Sequence, residues 1–380
     1  MTEFCEQQAI QHPTLSDKYS QLSELFSRKL WHQLTVAVYD FVQDDANSQG
    51  DSFIRLYTDF IAKFEARINQ LKLAQILCAV ARKFADPADA AALLSSALEK
   101  SARLGPEPSL LLSSELGLTN LRRGMAEGVK EQLAKDKAAL EDLEGVADTS
   151  VHSAHHLLAC EYYKGVGPPE AFFRSALMYL AYTPLESMAA ERQQQLATDI
   201  SLAAITGDGV YNFGEVVATA AVKALAGTPN AWLGELLDAF NRGDIDAFNA
   251  ITADHQAAIA SQPVLATRAE FVKEKMALMC LVNMVFERSS HERDFPFAEV
   301  AKRTRLPLDQ VEWLVMRAMS QGLVRGVMDE VAQVVHVTWV QPRVLDRQQI
   351  GHLEARLESW KTSVGSALQY METQTPELFG

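Results

Sequence analysis

The amino-acid sequence predicts an all-α protein with a small β element: a helical-repeat (TPR-like) solenoid, then a winged-helix module and a C-terminal helix. Three observations lead to this prediction. Apolar residues recur at spacings of three and four between residues 15 and 286. After residue 288 the pattern changes to two short helices and two alternating segments. Helical spacing then resumes after residue 346.

The N-terminal part is predicted to form consecutive helical hairpins. Its first apolar stripes contain Leu34, Val38, Phe41 and Val42, then Leu56, Phe60, Ile61 and Phe64, then Ile68, Leu71, Ile76, Leu77 and Val80. Proline and glycine at residues 86–87, 105–108 and 165–169 oppose helix continuation, so turns are expected there. Helices with one apolar face cannot cover it alone, and stacking in a solenoid solves this problem.

Residues 289–345 are predicted to fold as a winged helix. A short helix near Phe297 and Val300 is followed by a second helix at residues 307–321, which Gly322 ends. Two strands are expected at residues 323–328 and 334–340. In the second strand Val335, Val337 and Trp339 alternate with His336 and Thr338. Such a hairpin leaves at least one sheet edge to which another chain could pair.

The last segment, residues 346–371, has apolar residues at steps of three and four. They are Ile350, Leu353, Leu357, Trp360, Val364, Leu368 and Met371. These steps outline the seam of a coiled coil, which favours a long helix that packs against partner helices. The alternative is a helix folded back on its own domain. The candidate partner interface therefore consists of Val335, Val337, Trp339, Ile350, Leu353, Leu357, Trp360, Val364 and Leu368.

Composition excludes several classes of protein. A net charge of -14 opposes binding to phosphate backbones and to anionic lipid. Cys5, Cys78, Cys160 and Cys280 form no CxxC pair, as expected of reduced thiols, so no disulfides are expected. The first residues carry no signal peptide, and the apolar stretch at residues 276–286 is too short to span a bilayer. We expect a soluble protein of the cytoplasm and nucleus.

Two motifs invite a chemical interpretation. His152, His156 and Cys160 stand four residues apart, so one helix face would carry them as metal ligands; without a fourth ligand, a structural role is favoured. The glycines of GDGVYNFGE, residues 207–215, fit neither phosphate-loop pattern and indicate a turn between helices. No metal, no cofactor and no enzymatic activity are therefore expected.

A winged helix also raises the possibility of DNA binding. Its second helix carries Asp309 and Glu312 against Arg317, and an acidic turn at residues 329–330 lies where a wing would meet phosphates. Basic residues cluster at Lys302, Arg303 and Arg305. The acidic residues favour a protein contact over a nucleic-acid site.

Four segments resemble a known family. They are KLWHQLT (29–35), GDGVYNFGE (207–215), WVQPRVLD (339–346) and EVAKRTRLPLDQVEWLVMRAMSQGLVRG (299–326). These segments are similar to the PCI family, and within it to the non-ATPase regulatory subunits of the proteasome lid. The resemblance implies a non-catalytic scaffold that contacts a neighbouring PCI subunit and the MPN-domain pair containing the deubiquitinase.

The resemblance also implies a division into domains. An N-terminal helical-repeat arm would occupy residues 1–200. A PCI domain would occupy residues 201–345, with a helical part at 201–288 and the winged helix at 289–345. The C-terminal helix, residues 346–380, would enter a shared helical bundle. Two alternatives to the function of a proteasome-lid subunit stay open. The first is a PCI subunit of the signalosome or of a translation-initiation complex, and the second is a winged-helix regulator that binds DNA.

Overall fold

The computed structural model describes residues 8, 15–44, 47, 52–100, 105–143, 148–288, 292–344 and 347–374. Cys5 and the predicted start of the last helix at Asp346 lie outside these residues. The chain forms two compact units, Met1–Met188 and Ala189–Gly380. The predicted domain division between residues 200 and 201 falls inside a helix and stays a prediction.

The first unit is built from helices. They are α1 (Ser16–Ser27), α2 (Trp31–Gln43), α3 (Ser52–Arg55), α4 (Gln70–Ala81), α5 (Pro87–Glu99), α6 (Pro106–Arg122), α7 (Glu127–Glu141), α8 (Thr149–Val166) and α9 (Pro169–Tyr182). A π-helical turn (Leu56–Phe60) and two 3-10 turns (Ile61–Lys63 and Glu65–Arg67) connect α3 to α4. Another 3-10 turn, Leu185–Ser187, follows α9.

Short polar side chains determine where several of these helices begin. The Asn69 carboxamide oxygen accepts hydrogen bonds from the first backbone amides of α4. Asp86 does the same for α5, whose first residue is Pro87, and Asp148 for α8. Such caps satisfy amides that have no partner inside the helix, and each contributes about 1 kcal/mol. The predicted turn at Asp86-Pro87 is confirmed.

The predicted apolar stripes form the core of the first unit. Its buried members include Leu34, Val38, Phe41, Val42, Leu56, Phe60, Ile61, Phe64, Ile68, Ile76, Leu77 and Val80. The second stripe, however, does not lie on a regular α-helix but on the π and 3-10 turns. This irregular stretch holds Phe60 and Phe64 against Phe26, with ring centroids 5.5 and 5.7 Å apart.

Close approach between helices α6 and α8 explains a glycine at the centre of α6. A Cβ atom at Gly117 would lie 2.7 Å from Leu158 Cδ2 of α8. On the same helix, the buried carboxylate of Glu115 accepts hydrogen bonds from Nε and Nη2 of Arg82, the residue that follows α4, at 2.9 and 2.7 Å. A paired carboxylate avoids the large penalty of an isolated buried charge, so α6 can occupy the middle of the stack.

The second unit begins with helices and ends with the winged helix. Its helices are α10 (Ala190–Thr206), α11 (Phe213–Ala218), α12 (Ala220–Lys223), α13 (Ala231–Arg242), α14 (Ile245–Asp254), α15 (Gln256–Ala260), α16 (Pro263–Thr267), α17 (Ala269–Glu287), α18 (Phe297–Thr304), α19 (Leu308–Ser320) and α20 (Arg347–Gln374). Its strands are β1 (Asp294–Pro296), β2 (Val324–Asp329) and β3 (Val334–Val340). Residues 207–212 of the GDGVYNFGE segment form the predicted turn between α10 and α11, and residues 213–215 begin α11.

The winged helix contains an antiparallel sheet in the order β1-β3-β2. Strands β2 and β3 confirm the predicted hairpin, whereas β1 was not predicted. Strand β1 has three residues, and Phe295 is its one large apolar side chain, so the strand is too short to show alternation. Gly326 sits at an irregularity in the β2–β3 pairing, where a Cβ atom would lie 2.1 Å from the carbonyl oxygen of His336.

A buried lysine supports the helices on which the winged helix rests. Lys275 of α17 is fully buried, and its ammonium group donates to the carbonyl oxygens of Ala204 and Gly207, at 2.7 and 2.8 Å. Its Nζ atom also lies 5.2 Å from the ring centroid of Phe213. The ammonium group therefore caps the C-terminus of α10, where the helix dipole favours a cation, and it ties α10 to α17.

Replacing this lysine tests the contribution of the cap. We predict that Lys275→Met lowers the free energy of unfolding by about 3 kcal/mol, because two buried carbonyl oxygens lose their donor. Urea denaturation followed by circular dichroism measures the change. Lys273→Met is the matched control: this exposed side chain pairs with Glu270 on the same helix, and its loss should change stability by less than about 0.5 kcal/mol. Equal stability of the two variants would contradict the assignment.

Candidate protein-docking surface

Helix α20 presents its apolar residues to solvent. Every side chain described between Ile350 and Gln374 is exposed, and the largest, Trp360, is 68% exposed. The predicted seam residues are Ile350, Leu353, Leu357, Trp360, Val364 and Leu368, all of them exposed. A contiguous row of large apolar side chains in water is typical of a surface that another protein covers.

The seam occupies one side of α20. At about 100° per residue, its six side chains lie within a stripe roughly 80° wide. Ser359 and Ser366 lie on the opposite side. The Ser366 hydroxyl donates to the Thr362 carbonyl oxygen, and the Ser359 carbonyl oxygen accepts from the Ser363 hydroxyl. The helix is therefore amphipathic, although in the described residues nothing covers its apolar side.

The segment that leads into α20 is fixed to the second unit. The Val344 backbone amide donates to Asn212 Oδ1 at 3.2 Å, and a Cβ atom on Gly214 would lie 2.6 Å from the Val344 carbonyl oxygen. The Arg343 guanidinium donates to the backbone and side-chain oxygens of Asn241 and to Asn283 Oδ1. The anchor thus holds the chain against α13 and α17 shortly before α20 begins at residue 347.

The strand residues proposed for the interface lie elsewhere. Val335 and Val337 are 1% and 5% exposed and pack in the core of the winged helix. Trp339 is half-buried beneath the Arg325 guanidinium, whose central carbon lies 4.7 Å from the ring centroid. Strand β3 is also the central strand: β2 pairs along it from Val334 to Val340, and β1 pairs with Val334, Val335 and His336 on its other edge. This placement corrects the expectation that Val335 and Val337 contact a partner through their side chains.

Sequence reasoning missed an apolar patch on α19. Trp313 and Met316 lie on its outer side and are 53% and 47% exposed. Val311, Leu314 and Val315 face the core instead. The signal was present in the sequence, since Trp313 and Met316 fall outside the period of the buried stripe.

The histidine motif has a packing role in the described structure. The rings of His152 and His156 stack on Tyr182 at centroid distances of 4.8 and 5.8 Å. No group of three potential ligands in the described part of the chain is arranged to hold a metal ion. His155 is buried between the two, and among the described residues its Nδ1 atom has no hydrogen-bond partner. Burial, reinforced by His156, His152 and Lys137, lowers the pKa of His155 to about 4.

The cysteines and the membrane expectation can also be compared with the structure. The described cysteines, Cys78, Cys160 and Cys280, are buried, and none of the three forms a disulfide. None of the helices in the described ranges combines the length and the apolar character that a membrane span requires.

Comparisons with protein families define the class. The family described as PSD13 N-terminal repeats matches residues 18–237, and the PCI domain matches residues 252–339. The chain is thus a helical-repeat protein with a PCI domain. This class accounts for the stacked helices and the winged helix that follows them. The PCI match ends at Trp339, on strand β3, and α20 follows it.

Comparisons with individual proteins define the family more closely. The 26S proteasome non-ATPase regulatory subunit 13 homolog B of Arabidopsis thaliana is 35% identical over 99% of this chain and 98% of its own length. The 26S proteasome non-ATPase regulatory subunit 13 of Dictyostelium discoideum is 32% identical over 96% of this chain and 95% of its own length. The chain belongs to the family of 26S proteasome non-ATPase regulatory subunit 13.

A more distant similarity concerns one alternative considered above. Eukaryotic translation initiation factor 3 subunit M of Aspergillus oryzae is 28% identical over 58% of this chain and 46% of its own length. The similarity to the proteasome subunits is higher and spans nearly the whole chain. The comparison therefore favours the proteasomal family.

Loosening the anchor tests its effect on α20. We predict that Arg343→Met broadens the distribution of distances between α20 and α13, because the guanidinium no longer ties the connecting segment to the two asparagines. Double electron–electron resonance between spin labels at Ser359→Cys and Glu235→Cys measures the distribution, in a Cys5→Ser background. Arg356→Met, on α20 itself, is the control. Distributions of equal width in the two variants would show that Arg343 does not hold the segment.

The lowered pKa of His155 predicts an acid-sensitive first unit. His155 is neutral when folded, and in the unfolded chain it titrates near its ordinary value of about 6.5. The contribution of neutral His155 to the free energy of unfolding is therefore complete above pH 6.5, and it is lost as the pH falls towards 4. Between pH 7 and pH 4.5, the wild type should lose about 2 kcal/mol more than His155→Leu in urea denaturation. The exposed control His32→Leu should behave as the wild type; a His155→Leu variant that does the same would refute the prediction.

Proposed function

We propose that the chain is a non-catalytic structural subunit of the lid of the proteasome regulatory particle. In that role it supports assembly of the complex that degrades ubiquitinated proteins. Membership of a family of proteasome regulatory subunits supports this proposal. The single observation that carries it is the exposed seam of α20, because a surface of this kind needs a partner helix.

The seam is large enough to drive assembly. Burying a large aliphatic or aromatic side chain contributes about 1.5–3 kcal/mol, so six of them supply on the order of 10 kcal/mol before the losses of association. The regular spacing suits knobs-into-holes packing against other helices. The partners that this proposal assigns to α20 are helices of other lid subunits, gathered in one bundle.

The proposal extends to the rest of the chain. Residues 1–200 would form the N-terminal arm, residues 201–345 the PCI domain and residues 346–380 the bundle helix. The neighbouring PCI subunit and the MPN-domain deubiquitinase pair are the partners that we assign to these parts. Assembly into the proteasome lid implies that the chain works in the cytoplasm and the nucleus.

The surface of the winged helix supports protein contacts over DNA binding. A DNA-reading helix needs side chains that donate to bases and phosphates. The outer side of α19 carries Trp313 and Met316 with Asp309 instead. Aromatic residues and methionine are enriched at protein interfaces. A winged-helix regulator is therefore the less favoured function.

Substitution of the seam tests the proposed function. We predict that Leu357→Asp together with Trp360→Asp prevents incorporation of the tagged chain into the lid, because two charges would be buried at the centre of the bundle. Affinity purification from cells, followed by mass spectrometry and a peptidase assay, measures incorporation. The expected loss of co-purified lid subunits is at least about tenfold, which corresponds to 1.4 kcal/mol.

A matched control separates the seam from charge alone. Ser359→Asp together with Ser366→Asp adds the same charge to the opposite side of α20 and should incorporate normally. Circular dichroism should show equal helix content in both double variants. Normal incorporation of the Leu357 and Trp360 variant would remove the seam from the assembly mechanism.

A further inference from the structure

A polar cleft lies beside the winged helix, on the second unit. Its volume is about 640 Å³, and α14, α17 and α18 provide its walls. Four basic residues (Arg288, Lys302, Arg303 and Arg305) and three acidic ones (Asp246, Glu287 and Glu299) line it, together with Met284. The cleft is thus locally positive on a chain whose net charge is -14.

Three of the four cations already have carboxylate partners. Arg303 Nη2 lies 2.9 Å from both carboxylate oxygens of Glu287, and Arg305 Nη2 lies 2.9 Å from both oxygens of Asp246. Arg288 pairs with Glu299. Lys302 forms no ion pair with any residue that the structure describes.

These ion pairs leave capacity for a further carboxylate. Each of Arg303 and Arg305 uses one guanidinium nitrogen for its partner, although a guanidinium carries five N–H donors. The side chains of both pairs are more than half exposed, and ion pairs of that kind contribute about 0–1 kcal/mol. A second carboxylate can therefore add to these arginines or replace the internal partner at little cost.

Arg305, which lines the cleft, has an uncommon backbone conformation. Arg305 ends α18 in the left-handed conformation, with φ 57°, where glycine is the residue usually found. A side chain in this conformation costs about 1 kcal/mol. In return, the guanidinium of Arg305 stands over the cleft opposite Asp246.

We propose that this cleft binds an acidic segment of a protein partner. Carboxylates of the segment would pair with Lys302 and with the remaining donors of Arg303 and Arg305. Complementary charge of this kind selects and orients a partner more than it adds affinity. The surface is distinct from the α20 seam, and its test uses the free chain, so neither result depends on the other.

A protein segment suits the cleft better than a nucleic acid does. Asp246, Glu287 and Glu299 stand among the cations and would face the continuous row of phosphates of a nucleic acid. A short peptide presents separate carboxylates with neutral groups between them. The cleft volume of about 640 Å³ also lies within the usual range for sites that hold small ligands, which suits a short peptide.

Fluorescence anisotropy on the full chain tests this proposal. The probe is a fluorescein-labelled peptide, Glu-Asp-Leu-Asp-Glu, at about 50 mM salt, where the screening length is near 14 Å. We expect saturable binding that Lys302→Glu together with Arg303→Gln weakens about tenfold. The peptide Gln-Asn-Leu-Asn-Gln should not bind. Lys130→Glu together with Lys135→Gln, on α7, makes the same change in net charge; it is the matched control and should bind as the wild type does.

A second variant guards against loss of folding. Asp246→Asn together with Glu287→Gln removes the internal competitors, and it should tighten binding of the acidic peptide at least about threefold. Absence of saturable binding to the wild type would overturn the proposal, as would unchanged binding in both cleft variants. Equal or tighter binding of a fluorescein-labelled thymidine 20-mer would overturn it in favour of general anion binding.

Discussion

The structure depends on one constraint: a helix with a single apolar side must place that side against another helix. In the first unit α6 packs against several neighbouring helices, and Gly117 allows the close approach of α8. In the second unit Lys275 joins α10 to α17 by capping, in a region where apolar packing alone would leave carbonyl oxygens without donors. Helix α20 leaves a whole row of large apolar side chains uncovered in the described chain, and the proposed function follows from this exposure.

Most of the fold could be predicted because its signals are local. Helix spacing, the turn at residues 86–87, and the alternation of Val335, Val337 and Trp339 are all properties of neighbouring residues. Strand β1 was not predicted, because its pairing with β3 is long-range and its own three residues show no alternation of apolar and polar side chains. The π and 3-10 turns at residues 56–67 were not predicted either, because the apolar residues there keep helical spacing, while the packing of Phe60 and Phe64 against Phe26 is long-range.

The candidate site could be predicted only where its signal was local as well. Apolar spacing identified α20 as one amphipathic helix, and every predicted seam residue is exposed. The same alternation could not reveal that β3 is the central strand, because strand order depends on β1. The anchor at Arg343 was also beyond sequence reasoning, since Asn212, Asn241 and Asn283 come together only through packing. Positions that read as strand or loop therefore required coordinates before they could be assigned a role.

The charges beside the seam restrict self-association of the free subunit. If two copies of α20 paired in parallel and in register, the heptad would place Arg356 of one helix beside Lys361 of the other. Like charges at these flanking positions disfavour the homodimer, even though the apolar residues alone would permit it. A partner helix with acidic residues at the corresponding positions meets no such repulsion. The charges that flank the seam thus favour an acidic partner helix over a second copy of α20.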